Sequence, residues 1–283
     1  MFKIMREIEY KIEKEITILA FLKSKDYSSR LISELRREEK GIFLNGERAK
    51  TNAQMQAGDI LKITLPDGKS EIEAVDLPLE VVFEDEDVLV VNKSAFTVCH
   101  PTRNHQGDTL ANAVAFYLQN RGRKCTFRAI NRLDRDTTGL VVIALNRYSA
   151  GRLAGKIDKT YMALATGEIK KDGTINMPIE RIDERKILRR VGENGQSAVT
   201  HYEVIKSSPK ATLLKIKLET GRTHQIRVHF KAIGHPLTGD TMYGEADERI
   251  AHQCLHCASV SFRHPVSEEI ITLNSQAEFE NFI

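Results

Sequence analysis

Apolar residues fall into short runs with two different periods. Ile16, Ile18, Leu19, Phe21 and Leu22 suggest a short helix. Leu31, Ile32 and Leu35 mark one face of a second helix, predicted over Arg30–Lys40. Ser28 and Ser29 are suited to cap its start, and Gly41 to end it in a left-handed conformation. Ile42-Phe43-Leu44 reads as a strand, Asn45-Gly46 as a tight turn, and Ala57-Gly58-Asp59 as a turn before a strand over Ile60–Leu65. The cluster Pro66-Asp67-Gly68-Lys69-Ser70, with Pro78 beyond it, predicts a linker over 66–80. A hairpin follows: Leu79–Phe83, a turn at Glu84–Asp87, then Val88–Lys93. Leu110, Ala113, Val114 and Tyr117 form the stripe of a helix running from Asp108-Thr109 to Leu118. Strand-like runs recur at 140–145, 160–165, 212–218 and 256–262. Ile226, Phe230 and Ile233 recur at helical spacing over 224–233, with Thr223 as the expected cap and Gly234 as the stop.

Short strands interleaved with helices, without an internal repeat or a low-complexity tract, predict an α+β (mixed α/β) fold. The larger part reads as a largely antiparallel mixed sheet flanked by helices. A small α+β module precedes it. The expected division is 1–75 for the module with its linker and 76–283 for the larger domain.

The 283 residues are 41% hydrophobic and 29% charged, enough apolar material for a core in a soluble protein. A net charge of +3 permits a nucleic-acid partner without requiring one. Residues 1–8 carry charge throughout and lack a signal-peptide core, and no run approaches the ~20 apolar residues of a membrane span. A cytoplasmic protein with no membrane partner is therefore expected, most simply a monomer. Cys99, Cys125, Cys254 and Cys257 are too few and scattered for a disulfide framework. Cys254-Leu255-His256-Cys257, with His252 nearby, has zinc-like spacing but lacks a second ligand pair, and reads as a packed strand.

The candidate chemistry begins at Ala129-Ile130-Asn131-Arg132-Leu133-Asp134-Arg135-Asp136-Thr137-Thr138-Gly139-Leu140. Two Asp and two Arg stand there between apolar flanks, directly before a core strand. A carboxylate beside a core strand needs a partner, and burial with a cationic neighbour tunes it for chemistry. Three companions follow downstream. They are Lys159–Gly167, then Thr220-Gly221-Arg222-Thr223-His224-Gln225-Ile226-Arg227-Val228-His229-Phe230 with Gly234-His235-Pro236-Leu237 and Gly239-Asp240, and lastly Leu255–Phe262.

In this order and spacing the four motifs resemble the RluA-type RNA pseudouridine synthases, over roughly residues 80 to 275. The resemblance implies the pseudouridine synthase fold and an isomerase that needs no cofactor, metal or redox partner. Asp134 matches the family's catalytic Asp, acting at the glycosidic bond as nucleophile on the anomeric carbon or as base at the ribose. Arg227 matches its basic partner, and Tyr161 the tyrosine that stacks on uracil and assists proton removal. Arg132 matches the arginine placed near the extruded nucleotide, and Arg222, His224 and Gln225 are candidates for phosphate or sugar contacts. Asp136 is expected to cap the local turn. Asn131 stands where many members carry His. A basic cluster at Arg181, Arg185, Lys186, Arg189 and Arg190 reads as a loop able to touch phosphates.

Ser28-Ser29-Arg30, Ile42–Gly46 and Gly58–Leu61 make residues 15 to 66 resemble the small RNA-binding domain first known in ribosomal protein S-four. That resemblance implies RNA contact through the helix carrying Arg30 and Arg37, although Glu34, Glu38 and Glu39 dilute its charge. Ribosomal RNA is the favoured partner class, with transfer RNA the other. Two rival readings are a non-catalytic RNA-binding or ribosome-assembly protein on the same fold, and a metal-dependent phosphodiesterase built from His100, His105, Asp134, Asp136 and His224. The second lacks a local ligand pair.

Overall fold

The strand Thr138–Ala144 is apolar on both faces, and Leu140 to Ala144 are fully buried. A run without polar alternation is what a strand covered on both sides requires. The computed structural model describes residues 6–66, 71–123, 126–183 and 187–283. The turn cluster expected at 67–70, Cys125, and the basic residues Arg185 and Lys186 lie outside them.

The large sheet runs in the order Gly173–Asn176, Val199–Ser207, Ala211–Leu218, Asp158–Thr166, Leu255–Arg263, Thr138–Ala144, Val88–Lys93, Glu80–Glu84. Ile270–Asn274 pairs with the outer half of Leu255–Arg263. Among the described residues the pairing is antiparallel except between Leu255–Arg263 and Thr138–Ala144, which run parallel through His256–Thr138 and Cys257–Gly139. Gly139 makes that parallel contact possible. Its φ is +109°, and a Cβ there would lie 2.4 Å from the Cys257 carbonyl oxygen. The α+β class and the largely antiparallel mixed sheet are thus as the sequence implies.

Helices Leu110–Asn120, Arg147–Leu153 and Gln225–Ala232 accompany this sheet. The first is capped by Thr109 and Asn112, whose side chains each take the other's backbone amide. Gln225–Ala232 sinks Ile226 and Phe230 into the main core, each such burial stabilising by about 1.5–3 kcal/mol.

Residues 6–66 build a separate small sheet, Glu7–Lys11, Ile60–Thr64, Ile42–Leu44, Glu47–Arg48, with helices Ile18–Ser24 and Ser29–Arg37 on it. Its core is completed by Tyr148 of helix Arg147–Leu153, stacked on Tyr27 at 4.3 Å. Arg6 grips the buried Asp87 with Nε and Nη2 (2.7–3.2 Å), and Arg152 reaches Asp26 at 2.9 Å. The two sheets therefore meet through buried rings and ion pairs.

Several local readings need correction. Gly41 is not left-handed; it is needed because a Cβ would strike the Leu35 carbonyl oxygen at 2.1 Å. Thr223 does not cap its helix. His224 occupies the cap position with φ +59°, and its side chain makes no capping bond. The basic cluster after Pro178 is not a bare loop, since Ile179–Arg181 and Arg189–Val191 pair as a hairpin. Asp136 caps no turn. It is held by Arg135, whose Nε and Nη2 donate to it at 2.7 and 3.0 Å.

Candidate active site

The segment 131–137 enters the sheet through several tethers. Asn131 donates to the Leu140 carbonyl at 3.0 Å and accepts from the Val142 amide at 2.8 Å. Asn at this position therefore stitches the loop to the central strand. Leu133 is buried, and Gln253 donates to Thr137 Oγ1 at 2.8 Å. Between these fixings Asp134 lines a cavity of about 200 Å³, with Arg132, Tyr161, Arg222, His224, Gln225 and Arg227 among its walls.

Three elements supply the central groups. Arg227, on helix Gln225–Ala232, donates from Nη1 to Asp134 Oδ2 at 3.3 Å. Its Nε and Nη2 make a bidentate pair with Asp240 at 2.7 and 2.8 Å. The Arg227 side chain is 5% exposed and that of Asp240 0%. Burial works against the Arg227 charge, but the hydrogen bonds and charge of Asp240, then of Asp134, outweigh it and raise its pKa. Asp134 is 23% exposed, and among the described residues its Oδ1 has no hydrogen-bond partner. One carboxylate oxygen is thus anchored and the other is free for a ligand.

Tyr161 comes from strand Asp158–Thr166, where the register with Leu255–Arg263 shifts between Thr160 and Tyr161. A bulge of this kind re-aims a side chain. Tyr161 is buried beside Cys257, and burial first, then the neighbouring Cys257 and Asp134 charges, push its pKa far above 10. In the free protein it is a phenol, suited to stack and to donate, not a standing base.

His224 is placed by its left-handed backbone. Its Nε2 lies 3.8 Å from Asp134 Oδ2, and its Nδ1 is 2.8 Å from the Tyr243 hydroxyl. Burial lowers its pKa, opposed by Asp134 and reinforced by Arg227, so the ring is neutral at pH 7. The Tyr243 oxygen also accepts the Arg189 amide at 3.0 Å, and its ring lies 5.0 Å from the Arg227 guanidinium. Tyr243 thereby joins the basic hairpin to the site.

The structure brings Arg132, Asp134, Tyr161, Arg222, His224 and Arg227 together around one cavity. Arg132 is exposed at its rim; Arg222 is exposed and donates to the Ser197 carbonyl at 3.0 Å. Gln225 also lines the cavity, but its amide is spent internally. Its Oε1 accepts from Thr220 and the Arg222 amide, and its Nε2 donates to Val199 and Thr200. With all four bonds made its amide holds the helix start. Arg30 and Arg37 are exposed on the small module, Arg30 beside Glu34 at 3.5 Å. Of the phosphodiesterase set, His224 and Asp134 meet at 3.8 Å, but His105 is held by Asp108 and Asp136 by Arg135, and among the described residues the set forms no group with metal-ligand spacing. Among the described residues the cluster with metal-ligand spacing is Asp85, Asp87 and His264, elsewhere in the fold and engaged by Arg6.

Residues 87–232 match the family model described as RNA pseudouridylate synthase. The chain belongs to that family. The synthase is 39% identical to the uncharacterized RNA pseudouridine synthase YhcT of Bacillus subtilis over 239 residues, 81% of this chain and 79% of that one. It is 35% identical to ribosomal large subunit pseudouridine synthase D of Vibrio cholerae over 265 residues, 86% and 82% of the two chains. Human RNA pseudouridylate synthase domain containing 1 superposes with a TM-score of 0.60 at 27% identity, covering 73% of this chain and 86% of that one.

Asp240, Tyr243 and Lys93 were not assigned roles from the sequence. Gly239-Asp240 stood in the motif, but only the fold shows that Asp240 faces Arg227. Lys93 closes a strand-like run and would ordinarily be solvated. It is instead 2% exposed, with Nζ donating to the carbonyls of Ser94, Thr97 and Arg135 at 2.8–2.9 Å. It thus straps the residue after Asp134 to the neighbouring strand end.

Burial lowers the Lys93 pKa to about 8, with Cys99, Asp136 and Asp134 opposing. The folded chain therefore releases this proton near pH 8, while the unfolded chain holds it until its ordinary value of 10.5. Between those values the unfolded state binds more protons, so stability contributed here rises with pH. Relative to Lys93→Met, the wild type should gain roughly 3 kcal/mol across that window. Urea unfolding of both proteins below and above the window measures it; a constant difference would rule out the charge burial.

Proposed function

We propose that this synthase isomerises specific uridines of ribosomal RNA, with Asp134 acting at the glycosidic step. One observation carries the reading: a carboxylate in a cavity, one oxygen held by a buried guanidinium and the other free. The bond between uracil N1 and the ribose C1′ breaks, the base turns, and C5 bonds to C1′; C5 then gives up its proton and N1 takes one up, so the product is an isomer of the substrate. Asp134 enters either by bonding C1′, a bond that C5 displaces, or by taking a ribose proton that is later returned. Arg227 holds one of the Asp134 oxygens and aims the other. Tyr161 supports the base, and its hydroxyl is a proton donor until a basic partner appears. Arg132, exposed at the rim, fills the gap left by the extruded uridine.

The ribosomal assignment is supported by the relatives named ribosomal large subunit pseudouridine synthase D, matched over most of their length. Transfer RNA is the other candidate. Residues 1–75 act as an S-four-like module that holds RNA through Arg30 and Arg37, and residues 76–283 as the catalytic domain. The hairpin cations Arg181, Arg189 and Arg190, with Arg222, add phosphate contacts whose strength falls with salt. No helix among the described residues is long and apolar enough to cross a membrane, and a cytoplasmic monomer fits this role.

Pseudouridine mapping of ribosomal and transfer RNA, with and without the gene, tests the proposal. Loss of one or a few ribosomal sites on deletion, restored by the wild-type protein, is the expected result. A loss confined to transfer RNA would move the substrate, and an unchanged map would favour a non-catalytic RNA-binding role.

A further inference from the structure

Phe96 is a phenylalanine with φ +61°, and the residue is 55% exposed. Bulky residues rarely adopt this left-handed region, where glycine or asparagine sits without strain. Among the described residues the other non-glycine residues with positive φ are Asp26, Asn45, His224 and Glu268, all polar. An exposed apolar ring on a strained backbone adds little to stability or solubility, and strain of this kind collects at functional positions.

The backbone that carries the ring is also tied down. Lys93 Nζ binds the carbonyls of Ser94 and Thr97 on either side of Phe96 and, with the same ammonium, that of Arg135 beside Asp134. The His252 ring lies 5.9 Å from the Phe96 ring with the two planes at 83°. The next residue, Gln253, holds Thr137, which lines the cavity. Both supports of Phe96 are therefore fastened to the loop that carries Asp134. Arg132 adds an exposed cation on that loop, where Arg135 is paired with Asp136.

An exposed aromatic on a tethered backbone, joined to a loop that carries an exposed arginine, offers a surface on which single-stranded nucleic acid stacks, since every base has a π-face. We propose that Phe96 is a stacking platform for an unpaired base of the RNA substrate, flanking the uridine that enters the cavity. The proposal rests on the RNA-modifying reading above, but not on Asp134 being the reacting group.

The chain has no tryptophan, so Phe96→Trp introduces a single tryptophan reporter at the site, excited selectively over tyrosine at its red edge. Titration with a short single-stranded oligouridylate should quench it saturably, and equally in an Asp134→Asn background. A duplex of the same length should quench it far less. Phe96→Gly should bind the oligouridylate about tenfold more weakly, while Phe96→Tyr keeps wild-type affinity. The glycine variant should melt no lower than wild type, because it relieves the backbone, whereas a packing role would lower its melting temperature. Absence of quenching, or a glycine variant with wild-type affinity, overturns the platform. Quenching without any pseudouridine formation would keep the platform and sink the enzymatic reading, so the two fail separately.

Discussion

Asp134→Asn should fold and bind RNA as the wild type does, yet form pseudouridine about 10⁴-fold more slowly. The substitution keeps the shape of the side chain and removes its charge and its nucleophilic or basic oxygen. It leaves the buried Arg227–Asp240 pair intact, so the guanidinium retains a counter-charge and stability changes little. That makes Asn a sharper probe than Ala, which would also open space in the cavity. The reaction removes the hydrogen from uracil C5, so tritium release from RNA labelled at C5 reports turnover directly. Release should be near background at every enzyme concentration while filter binding of the RNA is unchanged. A rate within tenfold of wild type would remove Asp134 from the chemistry and leave the anchored carboxylate as a structural ion pair. A parallel loss of binding would point to a misfolded cavity instead, and thermal melting separates that outcome.

The central groups could be named from the sequence because each sits in an element with its own local signature. Leu140–Ala144 is an apolar run with no alternation, so a covered strand follows, and the Asp134 segment had to be its entry. Ile226 and Phe230 define the buried stripe of a helix, which put Arg227 beside the core. The motif order then supplied what periodicity could not, namely that these elements meet. Contacts made by residues with no local pattern were not legible. Lys93 ends a strand as countless solvated lysines do, and its three carbonyl partners come from two separate segments. Helix Arg147–Leu153 has too short a stripe to announce itself, and its Tyr148 is buried against the other sheet. The cap of helix Gln225–Ala232 was misread because Thr223 is a good capping residue in isolation. In the fold, the backbone turns left-handed at His224 to bring the imidazole to Asp134, and Gln225 secures the helix start in place of a cap. The site geometry overrode the local preference there.

The pair Arg227–Asp240 carries the second large effect. Arg227→Met strips a fully buried carboxylate of its cation, leaving Asp240 with the amides of Met242 and Tyr243 at 3.1 and 3.2 Å. An uncompensated charge with 0% exposed surface should cost about 3–5 kcal/mol of stability. Adding Asp240→Asn removes that charge while its side-chain oxygen still accepts both amides. Most of the lost stability should therefore return in the double variant, readable as recovery of the urea midpoint. Activity should not return with it. Without the guanidinium, Asp134 loses the donor that fixes Oδ2, and turnover should stay at least about 100-fold below wild type. A double variant as unstable as Arg227→Met would show that the guanidinium matters chiefly through packing against Tyr243. A double variant with wild-type turnover would show that Arg227 serves the fold alone. The split between recovered stability and unrecovered rate is what distinguishes a cation that organises Asp134 from one that merely neutralises Asp240.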